Sequence, residues 1–260
     1  MRLAAFQMRA APGDVATNLA TIAEAAAQGR LRGAELLVMP ELAITGYGAG
    51  DAIADLAEAA EGPQIDCVAR IATENGLAIA CGFAERSGDA VYNSAALVTP
   101  DGQRVTYRKC HLYGAYERRL FVPGNTPPRV VELGGMRVGL LICYDVEFPE
   151  AVRRLALAGA DVVVVPTALP ESEHAAFIAE RVVPVRAFEN QVALVYSNHA
   201  GADELFAYAG RSCIVMPDGT DAARAAESGA ELIVADYDPA GFAASREANS
   251  YLADRRADLF

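Results

Sequence analysis

The chain predicts an α/β domain in which mixed sheets are covered by helices. Three observations lead there. Short β-branched runs recur along its whole length and alternate with Ala- and Leu-rich stretches of helical spacing. Turn signals such as Pro100-Asp101-Gly102 interrupt that alternation, so some neighbouring strands must run antiparallel. No linker, low-complexity segment, internal repeat or composition shift divides the 260 residues, so 1–260 reads as one domain.

Arg2–Met8 opens as a strand. Asp14–Arg30 has Ala, Leu and Ile at helical spacing, with Asp14 or Thr17 as its cap. Glu35–Met39 is a second strand, stopped by Pro40-Glu41. Leu42–Gly50 is a loop whose glycines have the wrong spacing for a dinucleotide fingerprint, and no P-loop lysine follows. Asp51–Ala60 and Pro63–Asn75 read as helices, and Leu77–Gly82 as a strand. Val91–Thr99 and Gln103–Lys109 flank the Pro-Asp-Gly turn. Cys110–Pro128 reads as one long loop, and loops of that length inside compact domains usually carry function. Val130–Leu133 and Met136–Ile142 form a hairpin around Gly134-Gly135. Glu150–Ala158 reads as a helix with Pro149 in its first turn.

Asp161–Pro166 is almost wholly apolar, the pattern of a strand buried on both faces. Ser172–Asn190 is a helix that Pro184 should kink or divide. Gln191–Ser197, Ser212–Met216 and Glu231–Asp236 are further strands, with a hairpin signal at Pro217-Asp218-Gly219. The tail from Pro239 is polar, with Tyr251 and Leu252 as docking residues.

Composition narrows the function. With 53% apolar residues a sizeable core is available. The formal charge of -12 disfavours nucleic acid and anionic membrane as partners. No apolar run is long and uncharged enough to span a bilayer, and the first residues show no signal-peptide pattern, so a cytoplasmic location is expected. The five cysteines are scattered, odd in number and without a C-x-x-C pair. Neither a zinc site nor a disulfide framework is expected.

Three stretches share a format in which a strand ends and a reactive side chain follows. The strand ending at Met39 leads to Glu41, the one through Tyr107 to Lys109, and the one through Ile142 to Cys143. Cys143 thus sits in a strand-to-helix turn, where a side chain reaches a cleft beside backbone N–H groups. Strand ends at one sheet edge converge on a crevice. A carboxylate, an ammonium and a thiol there supply a general base, an oxyanion partner and a nucleophile. Each also has a structural reading: a loop acid, a surface lysine, a core cysteine.

The segments LLVMPELAITGY, YRKCHLYGAYERRLFVPG and GLLICYDVEFPE resemble the three signature regions of the nitrilase, or carbon–nitrogen hydrolase, superfamily. YNSA, VPTA and VRAFENQ extend the likeness over essentially the whole chain. The resemblance implies a four-layer α-β-β-α sandwich with two mixed sheets. It implies a Glu–Lys–Cys triad at Glu41, Lys109 and Cys143, with Glu117 as the second glutamate. It also implies a homodimer or higher even-numbered assembly, and chemistry needing no metal or organic cofactor. ICYDVEFPE, RRLALAGAD and FENQVALVYSN are most similar to the short aliphatic amidases, in particular the 5-aminopentanamidase (5-aminovaleramidase) branch. The expected partner is then a small amide substrate such as an omega-amino amide, cut through a thioester. Tyr144, Glu147, Tyr47, Tyr113 and Thr167 are the candidate substrate-binding residues. Glu147, four positions after Cys143, is the candidate partner for a substrate ammonium. Lys109 and the N–H of Tyr144 are the candidate oxyanion donors.

Other readings stay open. A Cys–His hydrolase would use His111, His174 or His199. A carbamoylase or a nitrilase would use the same triad, and a binding protein would keep the fold and lose catalysis.

Overall fold

The computed structural model describes residues 1–259. Its first half contains strands β1 (Arg2–Gln7), β2 (Leu36–Val38), β3 (Ala78–Ser87), β4 (Ala90–Val98) and β5 (Arg104–Arg108), and helices α1 (Val15–Leu31), α2 (Ala52–Leu56), α3 (Pro63–Asn75) and α4 (Gly114–Leu120). The second half adds β6 (Val130–Leu133), β7 (Met136–Leu140), β8 (Val162–Pro166), β9 (Ala193–Ser197), β10 (Ala200–Ala202), β11 (Ala207–Ala209), β12 (Cys213–Val215), β13 (Asp221–Arg224) and β14 (Glu231–Asp236). Its helices are α5 (Pro149–Leu157), α6 (Ala175–Phe177), α7 (Val183–Asn190) and the short α8 (Ala243–Ala248) and α9 (Tyr251–Asp254).

Two six-stranded sheets result, in the orders β14-β1-β2-β3-β4-β5 and β13-β12-β9-β8-β7-β6. In each, three parallel central strands (β1-β2-β3 and β7-β8-β9) are flanked by antiparallel neighbours. Both sheets are therefore mixed.

Alternation along the strands builds the layers. Leu3, Ala5, Leu36 and Val38 point into a core shared with the second sheet. Ala4, Phe6, Leu37 and Met39 point the other way, onto Ile22 and Ala25 of α1 and Ile65 and Val68 of α3. Helices α5 and α7 cover the far face of the second sheet through Val152, Leu155, Val183 and Ala187. The result is the α-β-β-α sandwich. Central β8 is buried at every residue, as its unbroken valines require. Each of those valines contributes about 1.5–3 kcal/mol by leaving water.

Pairing directions position the site. β5 runs the same way as β2 and β3, because two antiparallel pairings separate β5 from β3. Met8, just past β1, bridges in parallel to His199, just past β9, so the carboxyl ends of the two sheets meet at one edge. The residues that follow β2, β5, β7 and β8 gather there.

Several elements depart from the sequence expectations. The long loop after Lys109 contains α4, a helix too short and polar to show a periodic signal. The expected helix Asp51–Ala60 is only the five residues of α2. The Ser172–Asn190 stretch becomes helical only at Ala175 and is divided just before Pro184. That proline sits at the start of α7, after a π-helical turn over Ile178–Val182, where a missing N–H costs least. The β10–β11 hairpin was not foreseen, since its three-residue strands carry no periodicity. As expected, Asp14 caps α1, accepting from the Thr17 N–H at 3.0 Å and from its hydroxyl at 2.7 Å.

Candidate active site

Glu41 follows β2 in a tight turn that packs flat against Gly82 of β3. A Cβ on Gly82 would lie 2.2 Å from the Leu42 nitrogen and 2.6 Å from the Glu41 Cα, so only glycine fits. The Glu41 N–H donates to the Thr167 carbonyl at 3.3 Å. The Nε2–H of His199 donates to the Glu41 carbonyl at 2.7 Å. The main chain of Glu41 is thus fixed from both sheets.

Lys109 follows β5 and is fully buried, as are Glu41 and Glu117. Its Nζ donates to Glu41 Oε1 at 2.6 Å and to Glu117 Oε1 at 2.7 Å. An ammonium has three donors, so one N–H remains for a substrate. Glu117, in α4, also accepts from the Tyr47 hydroxyl at 2.9 Å and the Tyr113 N–H at 2.8 Å. Asn93 of β4 donates to Glu41 Oε1 at 2.7 Å. Oε1 therefore takes two donors, while Oε2 is buried with no hydrogen-bond partner among the described residues.

Cys143 begins the turn after β7 with φ at +44°, a left-handed conformation that costs roughly 1 kcal/mol or more in a non-glycine residue. It is 7% exposed. Glu41, Lys109 and Glu117 all act on the thiol electrostatically, and the Ala168 backbone amide after β8 faces it.

Burial sets the charges. It pushes the Glu41 carboxyl up to about 7, with Lys109 pulling back and Glu117 adding to the rise. Burial pulls Lys109 down, but Glu41 and Glu117 outweigh it and hold the ammonium above its ordinary value. Burial and then Glu41 push the Cys143 thiol well up, against the pull of Lys109 and the Ala168 amide. The pull of Lys109 toward the thiolate is thus outweighed, and the balance of burial and charge favours the thiol.

The remaining candidates fall in different places. Tyr47 is buried with its hydroxyl on Glu117, among the rings of Tyr116, Phe206 and Tyr208. The Thr167 hydroxyl donates to its own strand at the Val165 carbonyl, at 3.0 Å. Tyr113 and Tyr144 stack edge to face at 5.2 Å, and the Tyr144 ring lines a surface pocket with His111 and Phe148. Glu147 is half-buried, and burial raises its carboxyl. Its main-chain carbonyl is held by Arg186 at 2.8 Å, whereas no hydrogen bond is found for its carboxylate among the described residues.

The three histidines have other partners. His111 Nδ1 meets Asp145 at 2.7 Å, His174 is exposed beside Glu173, and His199 serves the Glu41 main chain. Asp145 also accepts from the Tyr107 hydroxyl at 3.0 Å and the His111 N–H at 2.9 Å, tying the Lys109 loop to the nucleophile turn. Asn93, Asp145, Arg186 and the Ala168 amide were not singled out in the sequence, and His199, a candidate base there, instead braces the Glu41 main chain. An amide within YNSA and an acid two places past Cys143 were the available signals.

Fold and site together define a hydrolase class in which a buried Glu–Lys–Glu cluster backs a cysteine at a strand-to-helix turn. The family model for carbon-nitrogen hydrolases matches residues 2–247, and the chain belongs to that family, the nitrilase superfamily. It is 43% identical over 265 residues to "Hydrolase in pqqF 5'region" of Pseudomonas protegens, covering 100% of this chain and 90% of the relative. It is 35% identical over 260 residues to an (R)-stereoselective amidase of Pseudomonas sp, covering 100% and 93%. Among solved structures, a mutant amidase from Nesterenkonia sp. AN1 is similar, with a TM-score of 0.87 and 36% identity. The match covers 100% of this chain and 95% of that one. That structure shows covalent addition of the acetamide moiety of fluoroacetamide at the active-site cysteine.

Proposed function

We propose that this nitrilase-superfamily hydrolase is an amidase that cuts a short aliphatic amide to the acid and ammonia through a thioester on Cys143. One observation carries the reading: a buried ammonium bridges two carboxylates beside a buried thiol on which all three groups act. The amidase relatives and the adduct on the neighbour's cysteine support it.

The steps follow from the residues in this reading. Glu41 Oε2, free of other donors, takes the thiol proton as sulfur bonds to the amide carbon. The carbonyl electron pair moves to oxygen, where the third N–H of Lys109 and the Tyr144 N–H receive it, each worth about 3 kcal/mol. The C–N bond then breaks, and Glu41 returns the proton to nitrogen so that ammonia leaves. In the second half Glu41 takes a proton from water as its oxygen attacks the thioester. The C–S bond breaks, the proton returns to sulfur, and the acid departs. Glu117 holds Lys109 in register throughout.

The substrate reading is an omega-amino amide, with 5-aminopentanamide as the type. A half-buried carboxylate suits an ammonium, and Glu147 is such a group: Lys109 and Arg186 act on it through space, its backbone is braced by Arg186, and its carboxylate makes no hydrogen bond among the described residues. The expected partners are this small amide and a second copy of the chain.

The test is ammonia release over amides, ureido compounds and nitriles, with intact-mass detection of an acyl adduct. Preference for 5-aminopentanamide over pentanamide, lost in Glu147→Gln with pentanamide turnover kept, supports the reading. A preference for ureido compounds or nitriles would replace the amidase assignment. An adduct elsewhere than Cys143, or activity in Cys143→Ala, would remove the mechanism.

A further inference from the structure

The two oxygens of Glu41 differ, and the difference traces to β4. Oε1 accepts from Lys109 at 2.6 Å and from Asn93 at 2.7 Å, whereas Oε2 has no hydrogen-bond partner among the described residues. Lys109 alone does not fix the carboxylate, because one charge contact lets the group rotate about its terminal torsion. A second donor on the same oxygen removes that freedom and leaves the other oxygen as the only basic site. Asn93 also acts through its main chain: its carbonyl accepts the Lys109 N–H at 2.8 Å. One buried residue of β4, paired across the sheet with Ala84, therefore touches both charged members of the triad.

We propose that Asn93 is a positioning residue that directs proton transfer to Glu41 Oε2, by holding Oε1 and anchoring the start of the Lys109 turn. The proposal rests on the amidase reading above. Asn93 moves no proton itself. It keeps the ionised carboxylate turned toward the thiol, and its donor favours the charged form of Glu41.

The other groups acting on Glu41 are Lys109 from the end of β5, Glu117 from α4, Cys143 from the turn after β7, Tyr47 from the loop after Glu41, and His199 and Tyr208 from the β9–β11 segment. Lys109 pulls Glu41 down, whereas Glu117 pushes it up. His199 is held neutral by its burial and touches only the Glu41 main chain. Among the described residues Asn93 is the neutral side chain that hydrogen-bonds the carboxylate, so removing its donor has a definite sign. Glu41 becomes harder to ionise, and the acid limb of the rate profile moves to higher pH.

The test uses Asn93→Ala, which deletes the donor, and Asn93→Asp, which keeps the shape and replaces the amide by a carboxyl. For each we would measure kcat/KM against pH on a short aliphatic amide, the pH dependence of Cys143 alkylation by iodoacetamide, and the melting temperature. The expected result is a loss of kcat/KM of about tenfold or more above the limb, with the acid limb shifted up by about one unit in both profiles. Folded variants that lose rate with the limb unmoved would make Asn93 part of the scaffold and overturn the proposal, as would failure of both variants to fold. Alkylation profiles that shift while the wild type releases no ammonia from amides would fail the amidase reading and leave the role of Asn93 standing.

Discussion

Gly82→Ala tests whether the Glu41 turn is set by contact with the sheet. Residue 82 has no part in the chemistry, yet a Cβ there would stand 2.2 Å from the Leu42 nitrogen, 2.6 Å from the Glu41 Cα and 2.7 Å from its carbonyl carbon. Ordinary contact begins at 3.4 Å, so the turn must retreat by about 1 Å. It is backbone, and it is bonded to the sheet on both sides. The Gly82 N–H donates to the Pro40 carbonyl at 3.0 Å, and the Ile44 N–H donates to the Gly82 carbonyl at 3.3 Å. The turn cannot yield as a side chain would. Overpacking of this kind costs roughly 1–3 kcal/mol of stability, and a displacement of about 1 Å at a reacting group costs on the order of a hundredfold in rate. The expected outcome is a folded protein with a modestly lowered melting temperature and kcat/KM down about a hundredfold. Cys143 should still be alkylated by iodoacetamide. The assay is ammonia release from a short amide, beside thermal melting by circular dichroism. A variant within threefold of wild type, with an unchanged melting temperature, would show that the turn has room this packing denies it.

Lys109→Arg should lose activity nearly as Lys109→Ala does, by a hundredfold or more, because a planar fork does not occupy a buried point-charge site; steady-state kinetics within a few-fold of wild type would refute this. The Glu41 carboxyl lies at about 7 and acts as a base only when ionised, so kcat/KM should fall tenfold per unit as pH drops below about 7 and level off above it. A rate profile that is flat down to pH 5 would contradict that assignment. The outer helical layer exposes Leu157 at 49%, Phe177 at 62% and Val185 at 48%, which fits a face used by a second copy. Sedimentation at micromolar concentration should give a dimer or higher even assembly, and Val185→Lys should weaken it; a wild-type monomer would refute the expectation.

The sequence by itself determined the alternation of strands and helices, the hairpins at Pro100-Asp101-Gly102 and Pro217-Asp218-Gly219, and the buried valine strand. Those features are local: turn chemistry and hydrophobic period act over a few residues, and each can be read where it stands. It also marked Glu41, Lys109 and Cys143, because each ends a strand. What the sequence could not show is how those ends meet. Lys109 finds Glu41 and Glu117, 68 and 8 positions away, only once the strand directions bring the sheet edges together.

Helix α4 lay hidden in a loop because its seven residues bury little beyond Glu117, leaving no apolar stripe to read. Asn93 looked like one polar residue in a strand, and Gly82 like one glycine among 22. Their importance comes from what packs against them. The charge balance at Cys143 arises the same way: Lys109 pulls the thiol toward ionisation, and burial beside Glu41 pushes it back. Charge balance depends on desolvation and on distances through space, and both are properties of the folded chain alone.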